Sequence, residues 1–231
     1  MRRQRTKKCF LAVAIIAGVT LLLSVGPALA TSYTLNTTFS GASPSGNLTA
    51  TILADCGANC VTVTMSAAGL NSGTEFISEW SFNSIVDPTT LTYTFQSGQT
   101  GTPQQPTTGF DCCQADGDGK FDIQFNFETA IDANRFTDNE TSVYRITGTG
   151  VNEANFNIAS ATGGGAGTWC TAAHVQGIAT APGSGWVGAP CGTTDGGGTL
   201  QTPVPEPSTL LLVGAGLLIV GTMARRRLQR S

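Results

Sequence analysis

Leu48–Ala54 reads LTATILA and Val61–Met65 reads VTVTM; in both, apolar side chains at every second position alternate with threonine. A two-residue period is that of a strand with one face buried, and β-branched threonine suits the solvated face of a pleated sheet. Between the two stretches, Gly57-Ala58-Asn59 supplies turn chemistry. The same period recurs in Tyr33–Phe39 (YTLNTTF), Phe76–Ile85 (FISEWSFNSI), Leu91–Phe95 (LTYTF), Phe121–Phe127 (FDIQFNF) and Ser142–Thr147 (SVYRIT). Seven short strands, punctuated by GASPSG at 41–46, Asn71-Ser72-Gly73 and Asp87-Pro88, predict an all-β antiparallel β-sandwich of jelly-roll or immunoglobulin-like kind. The best helical candidate is a single turn within Thr129–Phe136. Thr107–Ala115 and Gly163–Gly167 read as loops, and 177–203, rich in Gly, Thr and Pro, reads as a partly extended spacer. The β-sandwich domain is thereby assigned to 31–176.

Both ends differ from this body. Arg2, Arg3, Arg5, Lys7 and Lys8 precede the apolar run Phe10–Leu23, and Ala28-Leu29-Ala30 supplies a small-x-small site. Residues 1–30 therefore read as a signal peptide with an N-terminal signal helix, removed by signal peptidase to leave Thr31 as the first mature residue. At the other end, the 17 residues from Ser208 to Ala224 carry no charge and are followed by Arg225, Arg226, Arg227 and Arg230. That length lies at the lower limit of the roughly 17–25 residues needed for a transmembrane helix. The arginines hold the far end in the cytoplasm, leaving the body outside. Pro205 and Pro207 keep Val204–Pro207 extended and accessible just before the apolar run. The same features also describe a single-pass anchor that is never processed.

Without its ends, the chain is acidic. Thr31–Pro203 holds nine Asp and five Glu against Lys120, Arg135 and Arg145, a net charge of −11. Such a surface cannot neutralise phosphates, so nucleic acid is excluded as a partner. The body keeps six cysteines: Cys56, Cys60, Cys112, Cys113, Cys170 and Cys191. An even number in an exported chain points to disulfides. Local pairing joins Cys56 to Cys60 around the Gly57-Ala58-Asn59 turn and Cys170 to Cys191 around a Gly-rich loop. Cys112 and Cys113 either join each other or reach different partners. With one histidine in the chain, a zinc site is not expected.

Val204-Pro205-Glu206-Pro207, the apolar run and Arg225-Arg226-Arg227 together resemble the PEP-CTERM sorting signal of Gram-negative bacterial envelopes. The resemblance covers residues 204–231. It implies recognition by exosortase, transient insertion in the inner membrane, and a final place at the cell surface or outside the cell. Proteins with such tails accompany exopolysaccharide production, biofilm and floc formation, so the implied partner is extracellular polysaccharide and the implied role structural or adhesive. Three body segments also look like blocks of that group: Glu75–Asn83 (EFISEWSFN), Ala115–Ile123 (ADGDGKFDI), and Ala172–Gln176 (AAHVQ) with the following Gly183–Trp186 (GSGW).

Several residues invite a chemical reading. Asp116, Asp118 and Asp122 cluster around two glycines, with Asp111 nearby, and alternating acids and glycines gather hard oxygen ligands for calcium. The EF-hand register fails, because Lys120, Phe121 and Phe127 stand where Asp or Asn, Gly and Glu are required. The segment reads as a non-EF calcium site or as an acidic turn leading into the Phe121 strand; no other cofactor is expected. His174 has no Gly-x-Ser-x-Gly partner, so no catalytic residue is assigned and an enzyme is not expected. Glu75 and Glu79 flank Trp80 like a glycosidase pair, yet four strand residues separate carboxylates by about 13 Å, too far for either hydrolytic geometry. The alternative to a structural protein is a carbohydrate-binding or carbohydrate-active sandwich that uses Trp80, Trp169 or Trp186 as sugar platforms.

Overall fold

The computed structural model describes residues 30–116, 119–163, 167–192 and 198–201, the last four through their backbone alone. The signal helix, the transmembrane helix, the sorting motif Val204–Pro207 and Arg225–Arg227 lie outside the described residues, as does Asp118.

The alternation of LTATILA and VTVTM is realised as two adjacent antiparallel strands, β3 (Asn47–Leu53) and β4 (Cys60–Ala68). Leu48, Ala50 and Ile52 face inward beside Val61, Val63 and Met65, all inaccessible to solvent, while the intervening threonines are partly exposed. β1 (Ala30–Leu35), β6 (Thr92–Gly98), β9 (Glu140–Thr147) and β12 (Gly198–Gln201) complete the first sheet, in the order β12-β1-β3-β4-β9-β6. The second sheet runs β2-β11-β10-β5-β8-β7, built from β2 (Thr37–Gly41), β5 (Phe76–Phe82), β7 (Thr107–Ala115), β8 (Gly119–Asn126), β10 (Thr171–Gln176) and β11 (Ser184–Ala189). The fold is therefore an all-β sandwich of two antiparallel sheets. Its main core joins Tyr33, Leu48, Val63 and Tyr144 of the first sheet to Trp80, Phe82, Phe125 and Val175 of the second. Each such large side chain contributes about 1.5–3 kcal/mol through burial.

The structure departs from the sequence reading at three places. The stretch Tyr33–Phe39 is two strands. It turns a corner at Asn36, so that β1 pairs with β3 while β2 pairs with β11 in the other sheet. Thr107–Ala115, expected as a loop, is the edge strand β7; its alternation is hidden because 109–112 bulge out opposite Asp122, between the pairs Thr108↔Ile123 and Cys113↔Phe121. The expected spacer contains β11, deep in the second sheet between β10 and β2, and β12, so the sandwich extends past Gln176. The glycines that disguise β11 are demanded by packing: a Cβ on Gly185 would stand 1.9 Å from the Ala42 carbonyl oxygen, and one on Gly188 2.6 Å from the Trp169 ring. The single turn expected within Thr129–Phe136 is present as a 3-10 turn, Asp132–Asn134.

Candidate functional site

All six body cysteines are paired. Cys56–Cys60 closes the turn entering β4, and Cys112 joins its neighbour Cys113. Cys170–Cys191 follows the expected pairing, but what it closes is the β10–β11 hairpin, clamped where the two strands begin and end.

The two described aspartates of the candidate calcium set, Asp116 and Asp122, are directed to different tasks. Asp122 is buried, and its two oxygens accept the backbone N–H groups of Asp111 at 2.9 Å and Ser84 at 3.0 Å. Asp116 accepts the Ser40 hydroxyl. Among the described residues no three His, Cys, Asp or Glu side chains converge on a common point suited to a metal ion.

His174 lies on the face of the second sheet turned away from the main core, in the cross-strand row Ser40–Trp186–His174–Glu79–Asn126. Its ring stacks on Trp186, centroids 4.8 Å apart. A bulge in β5 leaves Ser78 without an opposite residue and brings its Oγ to 2.9 Å from His174 Nδ1. Burial lowers the His174 pKa, partly countered by Asp116, and burial raises that of Glu79. Both groups are thus held toward their neutral forms. Ser78 is only 3% exposed, while His174 is half-buried.

The other carboxylate of the proposed pair, Glu75, clamps two loops. It accepts the N–H and hydroxyl of Ser45, both at 3.1 Å, and the N–H of Asn71 at 2.8 Å. All three tryptophans proposed as sugar platforms are buried. Trp80 lies in the main core with Nε1 donating to Thr171 Oγ1 at 2.9 Å. Trp169 and Trp186 form a second apolar cluster, covered by Phe39, which stacks on Trp169 at 5.0 Å. Phe39 reaches them from another bulge, between the pairs Trp186↔Ser40 and Val187↔Thr38.

Among the described residues an accessible concave feature lies at the β7 edge. A cleft of about 420 Å³ opens between the bulge of β7, the segment following β5, and the chain around Ile158. Its lining includes Phe110 at 64% exposure, Ile85 at 61% and Ile158 at 37%. Asp111 lines it too, with φ at +52°, a left-handed conformation that is strained for a residue bearing a Cβ. Asp122 forms part of the lining and ties both walls together through Ser84 and Asp111. Sequence reasoning passed over Phe110, Ile85 and Ile158, which are far apart in the chain; the one local signal is Phe110 itself, an apolar residue in a stretch without alternation.

The fold and its sites define an acidic, disulfide-closed β-sandwich with polar side chains bonded within the fold and, among the described residues, an open cleft at the β7 edge. A family model described as the PEP-CTERM protein-sorting motif matches residues 203–227, so the chain carries the signal of an exported protein sorted by exosortase. No curated protein and no solved structure matches the chain.

Proposed function

We propose that this protein is a non-enzymatic component of the extracellular polysaccharide matrix, delivered by its sorting signal and acting there as a structural or adhesive element. The observation that carries the reading is the sorting motif at 203–227 attached to an acidic body with three disulfides. Transit through the membrane and display at or beyond the cell surface follow from the motif; the matrix role rests on the company such tails keep. The engagement of Ser78, His174, Glu75 and Asp122 in structural bonds supports a body without catalytic chemistry.

The test is fractionation of a native host with and without its exosortase. The protein is expected in the matrix fraction when the enzyme is present and in the inner membrane when it is absent. Recovery from the membrane in both cases overturns the proposal, and release of sugar products by the purified protein overturns its non-enzymatic part.

A further inference from the structure

Four large hydrophobic side chains are exposed among the described residues: Ile85, Phe110 and Ile131 by more than half, and Ile158 by 37%. Three of the four line the cleft at the β7 edge. Exposed apolar groups scattered singly need no explanation, but convergence on a concavity marks a binding surface. We propose that this cleft binds a hexose unit of a polysaccharide that is uncharged or amino-substituted. The inference rests on the matrix reading above and names the partner's chemistry.

The lining selects the occupant. A pyranose presents an apolar face of C–H groups, which suits the exposed Phe110 ring flanked by Ile85 and Ile158, and an equatorial belt of hydroxyl donors. The Asp111 carboxylate, without a hydrogen-bond partner among the described residues, is an acceptor for that belt and an ion-pairing group for an ammonium. The charged side chains of the lining are Asp111 and Asp122, both acidic, and the body's net charge is −11, so a uronate is repelled. The volume of about 420 Å³ falls within the range of small-ligand sites. A protein partner that extends the sheet is disfavoured, because the bulge at 109–112 breaks the hydrogen-bonding edge of β7.

The cleft is also held open in advance. The Cys112–Cys113 disulfide sits in the bulge beside Asp111, and Asp122 holds the amides of both walls. A ligand therefore meets an ordered surface and does not bear the entropy of arranging it.

Affinity electrophoresis of the mature protein as purified from an exosortase-carrying host, against dextran, mixed-linkage glucan, mannan, chitosan and polygalacturonate, tests the proposal. Retardation by at least one uncharged or amino-bearing polymer, and none by polygalacturonate, is expected. Phe110→Ala should weaken that retardation at least tenfold. Asp111→Asn should weaken it too, most for chitosan. Ile131→Ala, exposed but outside the cleft, should leave it unchanged. Absence of binding to every polymer, preference for polygalacturonate, or an equal loss in the Ile131 variant overturns the assignment. A protein that lies in the matrix fraction yet fails this test leaves the matrix reading standing; one that binds here but never reaches the matrix fails the other.

Discussion

The Asp122 carboxylate and the Asp111 backbone amide meet at 2.9 Å across the β7–β8 edge, and the second oxygen of the same carboxylate holds the amide of Ser84 at 3.0 Å. One buried side chain thus fastens the bulge of β7 to the segment that leaves β5. A carboxylate can do this because it accepts on both oxygens without needing a donor in return. Asp122→Ala leaves two N–H groups without their acceptor and is expected to cost about 2 kcal/mol. Thermal unfolding should show a fall in Tm of roughly 4–8 °C for a domain of this size. An unchanged Tm would mean that the two amides find other partners and that the wall is not fastened here.

The Cys170–Cys191 bond clamps a hairpin whose two strands occupy interior positions of the second sheet. Cross-linking residues 21 apart restricts the unfolded chain and stabilises the fold by about 3 kcal/mol on the loop-entropy estimate. The double variant Cys170→Ser, Cys191→Ser should therefore unfold at a Tm roughly 6–12 °C lower. Cys56→Ser with Cys60→Ser closes a far smaller loop and should lose less. Equal losses in calorimetry would contradict the loop-length argument.

Glu79 and His174 oppose each other in pH dependence. Burial raises the Glu79 pKa above 4.5, so its contribution to stability is complete below that value and is lost as pH rises through the folded pKa. Burial lowers the His174 pKa below 6.5, so its contribution is complete above that value and is lost as pH falls through the folded pKa. Relative to the unmodified protein, Glu79→Gln should gain stability at pH 7 compared with pH 4. His174→Gln should gain at pH 5 compared with pH 8. Denaturant titrations at these pH values measure both differences, and pH-independent offsets would show that neither group resists charging.

What the sequence disclosed followed from periodicity. Leu48, Ala50 and Ile52 point one way along β3 and are buried as their spacing requires; the same holds for Val61, Val63 and Met65. Periodicity fails where the backbone leaves the regular ladder. At Asn36 the alternating residues continue while the chain changes sheets, and at 109–112 the bulge breaks the alternation of a genuine strand. In β11 the residues at 185 and 188 are glycine because a carbonyl and an indole occupy the space of a side chain, a condition set by partners distant in sequence. For the same reason Trp169 and Trp186 look available as platforms until Phe39 is seen to cover them. The local disulfides were legible because turn composition places Cys56 beside Cys60. The cleft was not, since no pattern tells that Ile85 and Ile158 remain uncovered.

Processing gives the last and most direct measurement. The matched segment, 203–227, includes Pro205 and Pro207, which cannot enter the body of a helix, and ends in the arginine cluster Arg225–Arg227. Sorting with cleavage near Pro205-Glu206-Pro207 removes the apolar run and the arginines together, so the mature protein should lack both. Intact mass of protein from a native host is expected to correspond to a chain beginning at Thr31 and ending close to the proline motif, lowered further by the hydrogens lost in three disulfides. Replacing Pro205 and Pro207 with alanine should retain the tail and leave the protein in the membrane fraction, because the proline pair of the matched sorting motif is lost. A mature mass that still includes Arg225–Arg227 in the unmodified protein would reduce the segment to a permanent anchor. The acidic sandwich would then act at the outer face of the membrane, tethered where it emerges.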